Sequence, residues 1–169
     1  MELKPAIQKY HWGRKGTSSS VAKLAFSNGI QISEDENYAE LWMGTHPNGP
    51  SYVKSTLKPL SQFIEESSPV LGAKILENFG PKLPFLLKVL SVGKALSIQA
   101  HPNKQLAKEL HANRPDLYKD DNHKPEMAIA LTEFEMLCGF RRISEILQFT
   151  AGIFHTHFYT LARLFRKLN

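Results

Sequence analysis

Leu83-Pro84-Phe85-Leu86-Leu87-Lys88-Val89-Leu90-Ser91, Leu96-Ser97-Ile98-Gln99-Ala100-His101 and Glu126-Met127-Ala128-Ile129-Ala130-Leu131-Thr132 are the runs on which the fold turns. In an extended strand successive side chains point to opposite faces. Ser97, Gln99 and His101 then share one face, and Leu96, Ile98 and Ala100 the other. In the last run Met127, Ile129 and Leu131 form an apolar face, with Glu126, Ala128, Ala130 and Thr132 opposite. After Pro102 the period changes, and Leu106, Ala107 and Leu110 fall on one stripe at helical spacing. Residues 83–140 therefore read as three or four antiparallel strands with a helical insertion. The predicted fold class is mainly β with helical insertions.

The polar faces carry the chemistry. Gln99 offers an amide oxygen, His101 an imidazole nitrogen and Glu126 a carboxylate, a mixed N/O set that suits zinc or another borderline divalent ion. Ala128 and Ala130 behind the carboxylate leave room for a ligand. One carboxylate leaves a dication with surplus positive charge, which would stabilise an oxyanion such as the enediolate formed beside a sugar carbonyl. Solvated strand faces also produce such triplets, so spacing alone leaves both readings open. Lys88 shares a strand face with Leu86 and Leu90, which either carries its ammonium inward among apolar neighbours or lets it snorkel at a sheet edge.

The chain of 169 residues, 42% hydrophobic, is long enough for one ordinary globular domain. Its charge of +5 arises from 21 basic and 16 acidic residues that are mixed along the chain, a balance that favours an anionic substrate as readily as nucleic acid. No nucleic-acid-binding motif accompanies it, so no nucleic-acid partner is expected. Cys138 is the single cysteine, which excludes an intramolecular disulfide and is expected to be a small buried hydrophobe in a reducing compartment. Met1-Glu2-Leu3-Lys4-Pro5 lacks the apolar segment of a secretory signal. The longest apolar run, residues 83–92, is too short to span a bilayer and contains Lys88. A soluble, cytoplasmic protein without a membrane partner is the expectation.

Elsewhere the elements are shorter. Tyr10-His11-Trp12-Gly13-Arg14-Lys15-Gly16 reads as an extended piece entering a turn, followed by a short helix over 18–26. Tyr38-Ala39-Glu40-Leu41-Trp42-Met43-Gly44 reads as a strand ending in the loop Thr45-His46-Pro47-Asn48-Gly49-Pro50. Ser61 is the expected N-cap of a helix with Phe63 and Ile64 inward and Glu65 and Glu66 outward. Ile143, Ile146, Leu147 and Thr150 suggest an amphipathic helix. The tail that follows is aromatic and then basic, ending Arg163-Leu164-Phe165-Arg166-Lys167. Such a tail can bind a membrane surface or a partner, or pack on its own domain.

Tyr118-x-Asp120-x-Asn122-His123-Lys124-Pro125-Glu126 resembles the signature of the type I phosphomannose isomerases. Leu96-Ser97-Ile98-Gln99-Ala100-His101-Pro102-Asn103-Lys104 is similar to another stretch of the same family, as are residues 38–47, 83–91 and Leu137-Cys138-Gly139-Phe140-Arg141. The resemblance runs from about residue 10 to about residue 149. It implies a cupin-type jelly roll (RmlC-like), here partial, with a helical insertion. It further implies one zinc ion per chain, a mostly monomeric state, and interconversion of mannose 6-phosphate and fructose 6-phosphate in supply of GDP-mannose synthesis. The implied zinc ligands are Gln99, His101 and Glu126. Trp12, Glu40, Lys88 and Ser97 are implied to line the phosphosugar pocket, where cationic and hydroxyl groups pair with phosphate or sugar oxygens. Lys124 is the implied catalytic group, able to move protons once desolvated.

Members of that family are more than twice this length, and their fourth zinc ligand, a His two residues before a Tyr, lies in the part without a counterpart here. An Arg in an Arg-Ala-Gly-x-Thr-Pro-Lys stretch has no counterpart either. His157-Phe158-Tyr159 repeats the His-x-Tyr spacing without the family's surroundings and reads as coincidence. The expected division is residues 1–149 as the N-terminal part of the family's catalytic domain and residues 150–169 as a divergent basic tail, as an alternative transcript or misjoined gene model would give. Two function classes stand: a zinc-dependent isomerase, and a catalytically silent fragment of one.

Overall fold

The computed structural model describes residues 1–152, in which the chain forms two compact units, residues 1–100 and the residues from His101 onward. The first unit runs β1 (Leu3–Lys4), β2 (Ala6–Gln8), β3 (Arg14–Lys15), α1 (Ser20–Ser27), β4 (Asn37–Tyr38), β5 (Glu40–Met43), β6 (Tyr52–Val53), α2 (Leu60–Glu66), α3 (Ala73–Phe79) and β7 (Leu87–Leu90). The second contains α4 (Lys104–Asn113) and α5 (Ile143–Gly152).

All strand pairing among the described residues is antiparallel, although residues 83–140, expected to hold three or four strands, contain only β7. β2, β5 and β7 form a three-stranded sheet, while β1 with β6 and β3 with β4 form two-stranded ones. In the larger sheet Ile7, Leu41 and Val89 stand opposite one another and face the core. Leu41 packs there with Val21 and Ala22 of α1 and with Tyr38, all buried. Their neighbours Gln8, Glu40 and Leu90, and Ala6, Trp42 and Lys88, are also cross-strand partners and so lie on the other face.

The core is tied together by side chains that close backbone accounts. Ser19 caps α1 by accepting from Ala22 N–H at 3.2 Å, and its hydroxyl donates to the Tyr38 carbonyl at 2.8 Å. The Tyr38 hydroxyl accepts from Ser33 N–H at 2.7 Å and donates to the Glu36 carboxylate at 3.0 Å. Lys9 pairs with Glu36 and, ahead of the Tyr38 hydroxyl, holds its carboxyl below the usual glutamate range.

Gly13 lies where two backbones meet. A Cβ there would sit 2.7 Å from Ala39 N, Ala39 Cα and Tyr38 C, all main-chain atoms that cannot step aside. Gly13→Ala is accordingly expected to cost about 1–3 kcal/mol or more, read as a lowered urea midpoint. Gly29→Ala is the control: its site is open, leaving only the strain of its φ of 78°.

Several expectations need correction. The helix near Ser61 begins two residues early, with Pro59 at the N-cap and no side-chain cap, because Pro59 already supplies a fixed φ of −53°. Ile64 is buried and Glu65 and Glu66 are exposed as expected. Residues 97–101 and 126–132 contain no strand. Among the described residues nothing pairs with either run, and alternation without a ladder partner leaves both faces in water. Ile98 is 91% exposed, and Met127, Ile129 and Leu131 are 86%, 74% and 78% exposed. Cys138 is exposed rather than buried. The helices over 18–26, after Pro102 and from Ile143 are present. Asn103 caps α4 by accepting from Leu106 N–H at 2.9 Å, and Ala107 is its buried contact. No described helix is long and apolar enough to cross a membrane. The boundary expected at 149/150 falls within α5, which runs across it, while residues 153–169 of the tail, with His157-Phe158-Tyr159, lie outside the described residues.

Candidate functional site

The face of the three-stranded sheet turned away from the core carries the most organised polar cluster of the first unit. Glu40 and Trp42 are two residues apart on β5 and hence on one face, and Lys88 of β7 stands directly opposite Trp42. Both Glu40 and Trp42 are only 6% exposed. The Trp42 indole N–H donates to Glu40 Oε2, and Lys88 Nζ lies 3.6 Å from the same oxygen. That ammonium also stands over the Trp42 ring, 5.3 Å from its centre. Of the two positions that strand alternation left open for Lys88, it does not take the one among apolar neighbours: it faces a carboxylate and an indole ring, and its side chain keeps one third of its surface in water. β7 is an edge strand of its sheet, which gives the ammonium that access.

Tyr10 and Trp12 extend this surroundings. Their rings are 5.8 Å apart. Burial, and after it the negative charge of Glu40, push the Tyr10 phenol above its ordinary range. Trp12 is half-buried and fixed through its backbone, its carbonyl accepting from Gly93 N–H at 2.8 Å and Lys94 N–H at 3.0 Å. Ser97 and Gln99 end the first unit in exposed, irregular chain, where the Gln99 amide nitrogen donates to Ser97 Oγ at 3.4 Å. This leaves Gln99 Oε1 as its acceptor.

In the second unit His101 Nδ1 lies 2.8 Å from the Lys124 carbonyl. A carbonyl oxygen can only accept, so Nδ1 donates in this contact and Nε2 is the nitrogen left without it. Metal-ligating histidines typically make this hydrogen bond with the nitrogen that does not ligate. Glu126 is exposed. Lys124 is more than half exposed, with Asp120 3.6 Å from its ammonium, so the desolvation on which a proton-moving role rests is not found here. Among the described residues no three His, Cys, Asp or Glu side chains gather at metal-holding distance.

Comparison with known proteins bears on both clusters. Residues 1–143 match the family model described as phosphomannose isomerase type I, catalytic domain. The chain belongs to this family. Mannose-6-phosphate isomerase of Schizosaccharomyces pombe is 53% identical over 152 residues, covering 89% of this chain and 36% of the relative. The human enzyme is 54% identical over 152 residues, covering 87% and 36%. Among solved structures, the apo form of the Salmonella typhimurium isomerase superposes with a TM-score of 0.58 at 35% identity, covering 72% of this chain and 32% of that one. A mannose 6-phosphate isomerase bound with zinc and yttrium gives 0.59 at 34% identity, over 72% and 32%. The chain spans about a third of the length of the curated relatives it matches.

Trp42 and His46 escaped sequence reasoning. The His46 ring meets the Trp42 ring edge-on, with centres 5.1 Å apart at 72°. The spacing Glu40-x-Trp42 already places both side chains on one strand face and could have flagged Trp42. Nothing local pairs either residue with Lys88.

Proposed function

We propose that this type I phosphomannose isomerase chain carries part of a zinc-dependent site that interconverts mannose 6-phosphate and fructose 6-phosphate, in the cytoplasm and in supply of GDP-mannose synthesis. The family match over residues 1–143 is the observation that carries the reading. In it the sheets of the first unit are part of a cupin-type jelly roll, residues 1–149 belong to the catalytic domain, and the chain acts as a monomer.

Gln99 Oε1, His101 Nε2 and the Glu126 carboxylate would hold one zinc ion. Their N/O chemistry and the hydrogen bond that His101 Nδ1 donates fit that metal. When bound, zinc supplies Lewis acidity toward the sugar oxygens. Lys88 offers its ammonium to phosphate or sugar oxygens, Glu40 accepts from a sugar hydroxyl, and Trp12 and Ser97 bound the pocket. Lys124 is assigned to proton movement between C1 and C2, a role that requires its ammonium to lose the water it now meets.

The test is interconversion of the two phosphosugars by the purified chain with added zinc. Turnover that falls at least about hundredfold in His101→Ala or Gln99→Ala is the expected result. Absence of turnover at every zinc concentration would sink catalysis by this chain. It would favour the second reading, a catalytically silent fragment.

A further inference from the structure

We propose that Trp42 is a positioning residue, whose indole N–H orients the Glu40 carboxylate and whose ring face steadies the Lys88 ammonium before a phosphosugar arrives. The proposal rests on the reading that Glu40 and Lys88 belong to the phosphosugar pocket. Trp42 is on the sheet face opposite the Val21, Ala22, Tyr38 and Leu41 core, so filling that core does not account for its burial. Both of its polar neighbours converge on one oxygen. Glu40 Oε2 receives the indole N–H and faces Lys88 Nζ at 3.6 Å, which leaves Oε1 to accept from a ligand hydroxyl. An ammonium has three donors, and the one-third exposure of Lys88 leaves some of them for an anionic group.

The indole is itself held. The Trp42 carbonyl accepts from Ser51 Oγ at 3.2 Å, and that hydroxyl accepts from Gly44 N–H at 3.1 Å. His46 abuts the ring, and its Nδ1 accepts from Asn48 N–H at 3.1 Å, which fixes the imidazole plane. Gly49 leaves the ring its space, since a Cβ there would come within 2.9 Å of Trp42 Cε3. A fixed donor aimed at a carboxylate removes the orientational freedom that binding would otherwise have to restrict.

Trp42→Phe keeps one aromatic ring and deletes the N–H together with the five-membered ring that carries it. Hydrogen exchange of the Trp42 indole proton, followed by NMR on the purified chain without ligand, is expected to be slow and to accelerate at least about tenfold in Glu40→Ala. Free exchange in the unmutated chain overturns the proposal. Titration with mannose 6-phosphate should then show Trp42→Phe binding about tenfold more weakly, the loss expected for a hydrogen bond to a charged group. Trp42→Phe should cost little further in a Glu40→Gln background, whereas additive losses overturn the positioning role. Rescue of affinity by Trp42→His, which restores an N–H donor, would support it. A chain that binds no mannose 6-phosphate at all overturns the pocket reading instead, and the indole exchange still decides whether Trp42 holds Glu40.

Discussion

Tyr38→Ala is expected to lower the stability of the fold by about 3–5 kcal/mol, the range for removing a large aromatic side chain from a packed core. Tyr38 is fully buried and sits in the cluster with Val21, Ala22 and Leu41. Removing the ring leaves a cavity that β4 and α1 cannot close, since Ser19 pins one to the other. The hydroxyl adds a second loss, because the Ser33 N–H loses its partner and the Glu36 carboxylate keeps only Lys9. Tyr38→Phe separates the two effects. It retains the ring and should cost about 1–2 kcal/mol, the share owed to the unmade hydrogen bonds. Urea denaturation followed by circular dichroism measures both. Equal midpoints for Tyr38→Ala and the unmutated chain would show that this core does not hold the fold together.

The second large effect is on metal content. Glu126→Ala and His101→Ala are expected to lower zinc loading of the purified chain at least about tenfold, while Glu40→Ala leaves it unchanged. The contrast follows from what each group has free. Glu40 is buried with Oε2 already engaged by Trp42 and Lys88, which leaves it one oxygen, whereas Glu126 is exposed and His101 keeps Nε2 with its other nitrogen already engaged. Plasma mass spectrometry after dialysis against zinc reads the stoichiometry. Equal loading in Glu126→Ala and Glu40→Ala would refute the ligand assignment.

Much of the scaffold was legible in the sequence. The apolar stripe of Leu106, Ala107 and Leu110 marked α4, and the runs around Leu41 and Val89 marked two strands of the main sheet. Periodicity failed at residues 97–101 and 126–132 because alternation states which side chains would share a face, not whether another strand lies alongside. A strand needs hydrogen-bonding partners, and the described residues supply none to these runs. The candidate ligands were raised by strand spacing and named by resemblance, while the engagement of Glu40 by Trp42 and Lys88 was not legible. It depends on the register of β5 against β7, which pairs residues 46 positions apart. The two positions that the sequence left open for Lys88 could not be resolved for the same reason, its neighbours being cross-strand rather than local.

The register of that sheet also makes folding and site assembly a single event. Leu41 and Val89 face the core while Trp42 and Lys88 face away from it. A slip of one residue between β5 and β7 would break the opposition of Trp42 and Lys88 and set an ammonium against the apolar layer, at a penalty no packing gain offsets. Mispaired chains are thus eliminated by their own instability. Molecules that pass a conformational quality check carry the Glu40, Trp42 and Lys88 cluster already assembled, so yield of folded protein doubles as a count of intact clusters.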